Sequence, residues 1–281
     1  MSGGLSNAGA VPDTPGMRRS GTRRPGRLGR MALPGLAVAL VVAASAFGGA
    51  AGARVAPTPL RPDIVPLTTD QVQIRYVHDH KRLYLSFETE NAGTGPLEMQ
   101  PVADDCDGDG STGDDRTALQ NVYGDTDASG AYTPDDTVIR TLVAGCFVFH
   151  PAHGHWHFQN YARYQLLSLD GDKLRVHAKV GFCMLDTSSV DPTLPGHPST
   201  AQYRGCPDLA LQGISVGWSD IYSVNTPGQF INVDGLPNGT YCLVGNADPG
   251  DKLRESDEGD NQVRTRVSFG DHRATVRPNP C

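Results

Sequence analysis

The stretch His150-Pro-Ala-His-Gly-His-Trp-His-Phe-Gln-Asn-Tyr-Ala-Arg-Tyr-Gln-Leu-Leu-Ser-Leu169 contains four of the nine histidines of this 281-residue chain. Three of them, His153, His155 and His157, follow an H-x-H-x-H pattern. Alternate side chains of a strand face the same side, whereas residues two apart on a helix nearly oppose each other. The pattern therefore predicts a strand that directs three imidazoles at one point. Such a group suits zinc, copper, iron or nickel, and nitrogen donors bind copper(II) most tightly of the first-row divalent ions.

The alternative is a coincidental run of histidines on a solvated strand. The large apolar residues Trp156 and Phe158 and the pair Tyr161 and Tyr164 favour a buried segment instead. His150 breaks the alternation with the three odd-numbered histidines, so we expect it to support the metal site without ligating the ion.

The rest of the chain predicts short strands between turns rich in glycine and proline, and no long stretch has a helical apolar period. Residues 82–88 alternate apolar and polar side chains, which is typical of a half-buried strand. Further strands are predicted at 137–143, 146–150, 155–169, 174–184, 229–233, 240–245 and 262–269. This pattern predicts an all-β fold: a single sandwich-like domain of short strands with long loops, preceded by a signal segment.

The N-terminus has the features of an export signal. Residues 1–30 contain six arginines and one acidic residue, and a short apolar run of small residues follows and ends in Ala51-Gly-Ala53. This order predicts a signal peptide over 1–53 with a long Arg-rich n-region, and hence a secreted protein, with an uncleaved anchor as the alternative. We expect a Pro-rich lead-in over 54–62 and the domain itself over 63–281.

Composition limits the partners. The chain has 24 basic and 31 acidic residues, of which the leader contains six and one, so the mature chain has a formal charge of about −12. This charge disfavours nucleic acid and favours cationic partners such as amines, although a solvated acidic surface explains it equally well. All six cysteines lie outside the leader and none has C-x-x-C spacing, so disulfides are more plausible than a cysteine zinc site.

One acidic loop resembles a calcium-binding segment at its start. Asp105-x-Asp107-x-Asp109-Gly110 has the spacing of such a loop, but its twelfth position is Arg116 where the pattern requires glutamate. We therefore interpret residues 104–117 as a surface loop.

Four motifs resemble the lysyl oxidase family, in the family's order and over nearly the whole mature chain from Asp63 onward. His150-Pro-Ala-His-Gly-His-Trp-His157 is similar to its copper segment, W-x-W-H-x-C-H-x-H-x-H. Lys179-Val-Gly-Phe-Cys-Met-Leu-Asp-Thr187 resembles K-A-S-F-C-L-E-D-T, and Gln212-Gly-Ile-Ser-Val-Gly-Trp-Ser-Asp-Ile-Tyr222 resembles Q-G-(I/L)-x-x-G-x-x-D-x-Y. Leu236-Pro-Asn-Gly-Thr-Tyr241 followed by Glu255-Ser-Asp-Glu-Gly-Asp-Asn261 resembles P-G-x-Y and E-S-D-x-x-N-N.

The resemblance implies a copper amine oxidase whose quinone cofactor, lysine tyrosylquinone, forms from the protein's own residues. By motif position these are Lys179 and Tyr222, since copper and oxygen oxidise the phenol ring and the lysine amine then adds to it. The quinone carbonyl reacts with a primary amine of peptidyl lysine or of a small molecule, which yields an aldehyde, ammonia and hydrogen peroxide. Without the resemblance, Lys179 would be a strand-edge surface residue and Tyr222 a core aromatic. Asp220 is a candidate base, with turn capping as an equal alternative.

The resemblance also implies a disulfide and a calcium site. It pairs Cys183 with Cys206 and leaves the other four cysteines open, for which we prefer the pairs Cys106–Cys146 and Cys242–Cys281. The implied calcium ligands are Asp63, the Ile64 carbonyl, Glu255, Asp257, Asp260 and Asn261, with a solvated acidic turn as the alternative.

This chain departs from the family at Ala152, where the family has a cysteine, and at Arg163, where it has a histidine; the cysteines of the family's N-terminal strand region are absent too. A non-catalytic extracellular copper- and calcium-binding β module is therefore the alternative function, although such a module has no need of Lys179 or Tyr222. A metal hydrolase is weaker, because no H-E-x-x-H segment supplies a general base. We expect no membrane partner beyond export, and the sequence leaves the physiological amine and the oligomeric state open.

Overall fold

Strands alone form the regular structure of the described part of the chain. The computed structural model describes residues 56–281, with every side chain in that range except those of 178–180. Seventeen strands and no α-helix occur there, which confirms the all-β prediction. These residues contain no helix with the length and apolar character of a membrane span. The predicted signal peptide, 1–53, lies outside the described residues.

The strands are numbered in chain order. They are β1 (Thr58–Leu60), β2 (Ile64–Pro66), β3 (Val72–Val77), β4 (His80–Leu85), β5 (Phe87–Asn91), β6 (Leu97–Val102), β7 (Asp115–Asp125), β8 (Thr137–His150), β9 (His155–Leu167), β10 (Lys173–Phe182), β11 (Ser188–Ser189), β12 (Gln212–Ile214), β13 (Trp218–Tyr222), β14 (Phe230–Asn232), β15 (Gly239–Ala247), β16 (Gln262–Phe269) and β17 (Ala274–Val276).

These strands form three antiparallel sheets. The largest has ten strands in the order β12-β6-β7-β8-β9-β15-β16-β17, with β1 paired to β7 and β10 paired to β9. A four-stranded sheet has the order β11-β13-β5-β2, and a three-stranded sheet the order β14-β4-β3. The large sheet thus contributes β9 and β10 to the site, and the four-stranded sheet contributes β13.

Aromatic side chains join the four-stranded sheet to the large one. Phe87 on β5 packs edge-on against Tyr164 on β9, with ring centroids 5.2 Å apart, and against Phe182 on β10 at 6.3 Å. Phe182 also packs on Tyr161 at 5.2 Å, and all four rings are buried. Large rings buried between sheet faces give the fold its sandwich-like character.

The ends of most predicted strands differ from the structure by one or two residues, and two predictions divide the chain differently for local reasons. The sequence predicts one strand over 82–88, but the chain passes from the three-stranded to the four-stranded sheet at Ser86, whose hydroxyl donates to Asp70 at 2.5 Å. The predicted strands 137–143 and 146–150 form one strand, β8, because a bulge at Ala144 and Gly145 maintains the pairing with β7. By contrast, β16 has the predicted bounds, 262–269.

The Pro-rich segment and the cysteines complete the domain. The sequence assigns 54–62 to a lead-in, whereas Thr58–Leu60 pairs with β7 as part of the large sheet, and Leu60 is buried. The pairing Cys183–Cys206 implied by the resemblance is confirmed, and the preferred pairs Cys106–Cys146 and Cys242–Cys281 are confirmed with it.

Candidate functional site

The histidine cluster, formed by His153, His155 and His157, lies at the turn between β8 and β9. The prediction of a single strand for all three is wrong for His153, which lies in the turn at residues 151–154. This turn forms because the amide groups of His153 and Gly154 both donate to the His150 carbonyl, at 3.0 and 2.9 Å, and Gly154 adopts a left-handed φ of 67°. The turn brings His153 back beside the strand, so the three rings still lie close together, as predicted.

The ring nitrogens of the cluster lie close enough together for one metal ion to contact all three. His157 Nε2 lies 2.9 Å from His155 Nε2 and 3.4 Å from His153 Nδ1, and one ligand atom from each ring falls within 4.8 Å of the others. Nitrogens bound at roughly 2.0–2.1 Å to a tetrahedral ion lie about 3.3 Å apart. A hydrogen bond between neutral rings explains the contacts less well, because the Nε2 position of His157 faces two nitrogens and has at most one proton.

Two further residues shape this cluster. The His150 ring stacks on His153 with centroids 4.1 Å apart and lies 5.0 Å from His157, beside the three ligand atoms. Gly181 on β10 leaves room for His157, since a Cβ atom at this position would lie 2.6 Å from the His157 Cβ and 3.2 Å from its Nδ1. Only glycine fits against this imidazole without displacing it.

Tyr222 meets the strand that contains Lys179. Lys179 pairs with Ala162 across β9 and β10, and its side chain lies outside the described part. The Tyr222 ring packs edge-on against Phe182, the last residue of β10, at 4.5 Å, and its hydroxyl donates to the carbonyl of Cys183 at 2.8 Å. One short segment of chain, 179–183, therefore connects the motif lysine with the motif tyrosine.

Burial and a nearby carboxylate control the Tyr222 phenol. Desolvation raises the pKa of Tyr222 well above its ordinary value, and the charge of Asp220 raises it further. Asp220 is 2 % exposed and lies within β13 opposite Thr89. The Tyr222 hydroxyl thus retains its proton at neutral pH. Any oxidation of the ring would need a nearby group that accepts this proton.

A disulfide and a glutamine connect the histidine cluster to Tyr222. The Trp156 amide donates to the Cys206 carbonyl at 3.0 Å, and Cys206 is bonded to Cys183, whose carbonyl accepts the Tyr222 hydroxyl. Gln212, fully buried at the start of β12, donates to the Trp156 carbonyl at 2.9 Å and accepts from the amide that follows Cys183 at 3.2 Å. The motif residues therefore belong to one connected unit.

The predicted calcium ligands lie between β2 and the loop before β16. Glu255, buried at 3 % exposure, accepts the Ile64 amide at 2.5 Å and the Asn261 side-chain amide at 3.1 Å. The Asp63 carbonyl accepts the amide of residue 92, next to the end of β5, whereas the Ile64 amide donates to Glu255 and not to β5. Because the amide and carbonyl of one residue in an antiparallel strand point to the same side, we expect the Ile64 carbonyl on the side of Glu255. Asp257 is exposed and accepts the amide of residue 259 at 2.7 Å.

Three buried oxygens of this acidic cluster could bind a cation. Asp63 Oδ1, Asp260 Oδ1 and Asn261 Oδ1 are buried and have no hydrogen-bond partner. Burial, followed by the charge of Asp260, raises the pKa of Asp63, and burial followed by Asp257 raises that of Asp260. The cluster is looser than the histidine site, however, and is not among the groups of three acidic or histidine residues that converge within 4.8 Å in residues 56–281.

Comparison with known proteins agrees with this geometry. The sequence profile of the lysyl oxidase family matches residues 137–279, half of the chain. This chain belongs to the lysyl oxidase family. Similar relatives are lysyl oxidase homolog 3A of Danio rerio, 30% identical over 128 residues, and lysyl oxidase homolog 4 of Homo sapiens, 29% identical over 129 residues. Each match covers 45% of this chain and 16% of the relative, so the chain spans only a small part of the length of these relatives.

The family match includes the histidine cluster, Lys179 and Tyr222 but begins after Asp63 and Ile64. Two residues that position the site, Gly181 and Gln212, were not predicted from the sequence, although both lie within motifs that resemble the family. Gly181 has an unusual position within a strand, and a strand glycine often marks a close approach, which is the signal that could have identified it. Gln212 gave no such signal, because its two partners become neighbours only in the folded chain.

Proposed function

We propose that this protein is a secreted, copper-dependent amine oxidase with a quinone made from Lys179 and Tyr222. The observation that supports this most is the arrangement along β10: its Gly181 packs on the histidine cluster, and Tyr222 packs on its last residue, Phe182. The same strand contains Lys179. A metal-binding module without catalysis has no use for this arrangement.

Copper fits the histidine cluster by its donor set. His153, His155 and His157 supply three imidazole nitrogens and no thiolate, and nitrogen donors rank copper(II) first among divalent first-row ions. His150 stacks on the cluster and would hold the orientation of His153. Bound copper would supply the oxygen chemistry that converts the tyrosine ring to a quinone.

The proposed reaction is R-CH2-NH2 + O2 + H2O → R-CHO + NH3 + H2O2. The quinone, once formed, would supply an electrophilic carbonyl and accept two electrons. Asp220 is the proposed base, since it is buried on the same strand as Tyr222 and its charge acts on the phenol. The Cys183 carbonyl would orient the Tyr222 ring through the hydrogen bond to its hydroxyl. The negative charge of the mature chain favours cationic amines, including peptidyl lysine.

Calcium is proposed as a structural ion of the acidic cluster. Its ligands would be Asp63, the Ile64 carbonyl, Glu255, Asp257, Asp260 and Asn261. This donor set is entirely oxygen, as calcium prefers, and includes three buried oxygens that lack hydrogen bonds. The ion would join segments almost 200 residues apart, such as Ile64 and Glu255 with a separation of 191, and so close a long loop.

Secretion is proposed from the leader and the cysteines. All six cysteines form disulfides, which persist in an oxidising compartment.

The deciding experiment is a visible absorption spectrum of protein expressed with copper, before and after phenylhydrazine. We expect a quinone band that shifts with the hydrazine, together with peroxide release from a primary amine. Lys179→Arg should lose both signals while it folds and binds copper normally, since a guanidinium keeps the charge but does not add to the ring. Lys173→Arg, at the exposed start of the same strand, is the matched control and should retain both. Copper bound without any band would favour the non-catalytic module.

A further inference from the structure

The loop between β6 and β7 brings acidic residues together outside the proposed copper and calcium sites. Residues 104–115, here named the acidic loop, contain six aspartates and no basic residue. One ligand oxygen each from Asp105, Asp107 and Asp115 lies within 4.8 Å of the others. Calcium–oxygen bonds of about 2.3–2.6 Å allow two ligand atoms to lie about 5 Å apart at most, so one ion can contact all three.

The backbone wraps around Asp105. Its two carboxylate oxygens accept the amides of Gly108 and Gly110, at 2.7 and 2.8 Å. Both glycines have left-handed φ angles, 79° and 90°, which other residues rarely adopt. The loop is fixed at both ends, by the disulfide of Cys106 and by the pairing of Asp115 in β7.

The buried carboxylate of Asp115 indicates that this loop binds a ligand. This residue is 2 % exposed, and its Oδ1 atom is buried without a hydrogen-bond partner, while Oδ2 accepts the Asp107 amide at 2.6 Å. Among the side chains that the structure describes, those of 56–177 and 181–281, no lysine, arginine or histidine forms an ion pair with it. A buried carboxylate oxygen without a donor or cation is strongly unfavourable, and this carboxylate lies in one cluster with those of Asp105 and Asp107.

The adjacent cation, Arg116, contacts backbone carbonyls of the loop, and the carboxylate that it pairs with is outside the loop. The Arg116 guanidinium stacks over the Trp156 ring at 4.3 Å and pairs with Asp208 at 3.4 Å, and its Nη1 donates to the carbonyls of Thr112 and Asp115. In the linear pattern the twelfth position of the loop is Arg116, where a calcium-binding segment has glutamate. In the structure the preceding residue, Asp115, supplies the carboxylate instead.

We propose that the acidic loop is a second calcium site, with Asp105, Asp107 and Asp115 as its carboxylate ligands. The donors are all oxygen and the only nearby sulfur is in a disulfide, so the site takes a hard cation and not copper. We do not propose a calcium site at a second group of three aspartates, Asp125, Asp127 and Asp136. Both Asp136 oxygens already accept hydrogen bonds from threonine amides and hydroxyls.

The test measures calcium bound per chain by equilibrium dialysis of the full secreted protein, at about 0.1–10 mM calcium because extracellular loops bind in roughly the 10⁻⁴–10⁻³ M range. We expect Asp115→Asn and Asp107→Asn each to lose one ion per chain, or to bind it at least tenfold more weakly. Asp107 is exposed, so its variant answers the question if Asp115→Asn does not fold. Asp114→Asn, an exposed neighbour outside the ligand group, is the control and should bind as the unmodified protein does.

A second readout assigns the ion to its loop. Amide hydrogen exchange of residues 105–116 should slow on calcium addition in the unmodified protein and in Asp257→Ala, but not in Asp107→Asn. Unchanged stoichiometry and affinity in both acidic-loop variants would overturn the proposal, as would exchange in this loop that is indifferent to calcium. Neither result bears on the amine oxidase proposal, which concerns other residues.

Discussion

The buried carboxyl of Glu255 makes the stability of this protein depend on pH and calcium together. Burial raises the pKa of Glu255 from 4.5 to about 8; the Ile64 amide and Asn261 oppose the shift, while the charges of Glu258 and Asp248 add to it. In calcium-free protein the folded state therefore binds this proton more tightly than the unfolded state does.

The direction of the pH dependence follows from this shift. Because the folded pKa is the higher one, the contribution of Glu255 to stability is fully present below about pH 4.5 and is lost as pH rises through about 8. The slope between these values is about 1.4 kcal/mol per pH unit, so the free energy of unfolding should fall by about 2.5 kcal/mol from pH 5 to pH 7 through this group. Calcium binds the ionised carboxylate, so calcium binding at pH 7 should release about one proton from Glu255. The bound ion should also offset the fall in the free energy of unfolding.

Glu255→Gln tests this directly, because the amide resembles the protonated acid. Its NH2 group finds an acceptor if the Asn261 side chain turns over and presents its otherwise unpaired oxygen. Urea unfolding at pH 5, 6, 7 and 8 without calcium should show a decline in the unmodified protein that is about 2.5 kcal/mol steeper between pH 5 and 7 than in the variant. Asp170→Asn, at an exposed acid in the turn after β9, is the control and should follow the unmodified protein. Parallel pH profiles for Glu255→Gln and the unmodified protein would refute the reasoning.

Three further predictions concern the metal sites. Gly181→Ala should weaken copper binding about tenfold, because the added methyl group would displace His157 at a cost of about 1–3 kcal/mol. Gly270→Ala, at a position with space for a Cβ atom, should leave copper affinity unchanged. Single alanine variants of His155 and His157 should each lower copper content, measured by metal analysis, and full retention in the double variant would exclude the site. Asp257→Ala should remove most of the rise in melting temperature that calcium causes and leave copper content unchanged. If calcium does not change the melting temperature of the unmodified protein, Asp257 is part of a solvated acidic turn and not a calcium ligand.

The sequence could predict the features that depend on local alternation. β16 alternates inward Thr265, Val267 and Phe269 with more exposed residues, so its bounds follow from the pattern alone. The shared direction of His155 and His157 was predictable for the same reason, since both lie on β9. β7 was missed because its buried positions include Gln120 and Asn121, which lack an apolar signal and become buried through long-range hydrogen bonds.

The remaining errors concern contacts between distant residues. His153 belongs to a turn, yet it reaches the cluster because two amides share the His150 carbonyl. Asp115 enters the acidic loop although the linear pattern assigns that role to position 116, since backbone geometry and not spacing decides which carboxylate faces inward. Gln212 connects two motifs that are far apart in sequence. In each case the decisive neighbour is absent from the local sequence.

The central claim is that Lys179 and Tyr222 form one covalent cofactor, and peptide mass mapping of the copper-loaded, amine-oxidising protein tests it most directly. We expect a single cross-linked species that contains both residues, with neither found in its unmodified linear peptide. Protein prepared without copper should yield both linear peptides intact. Recovery of both intact peptides from protein that oxidises amines at full rate would show that Lys179 and Tyr222 do not form the cofactor.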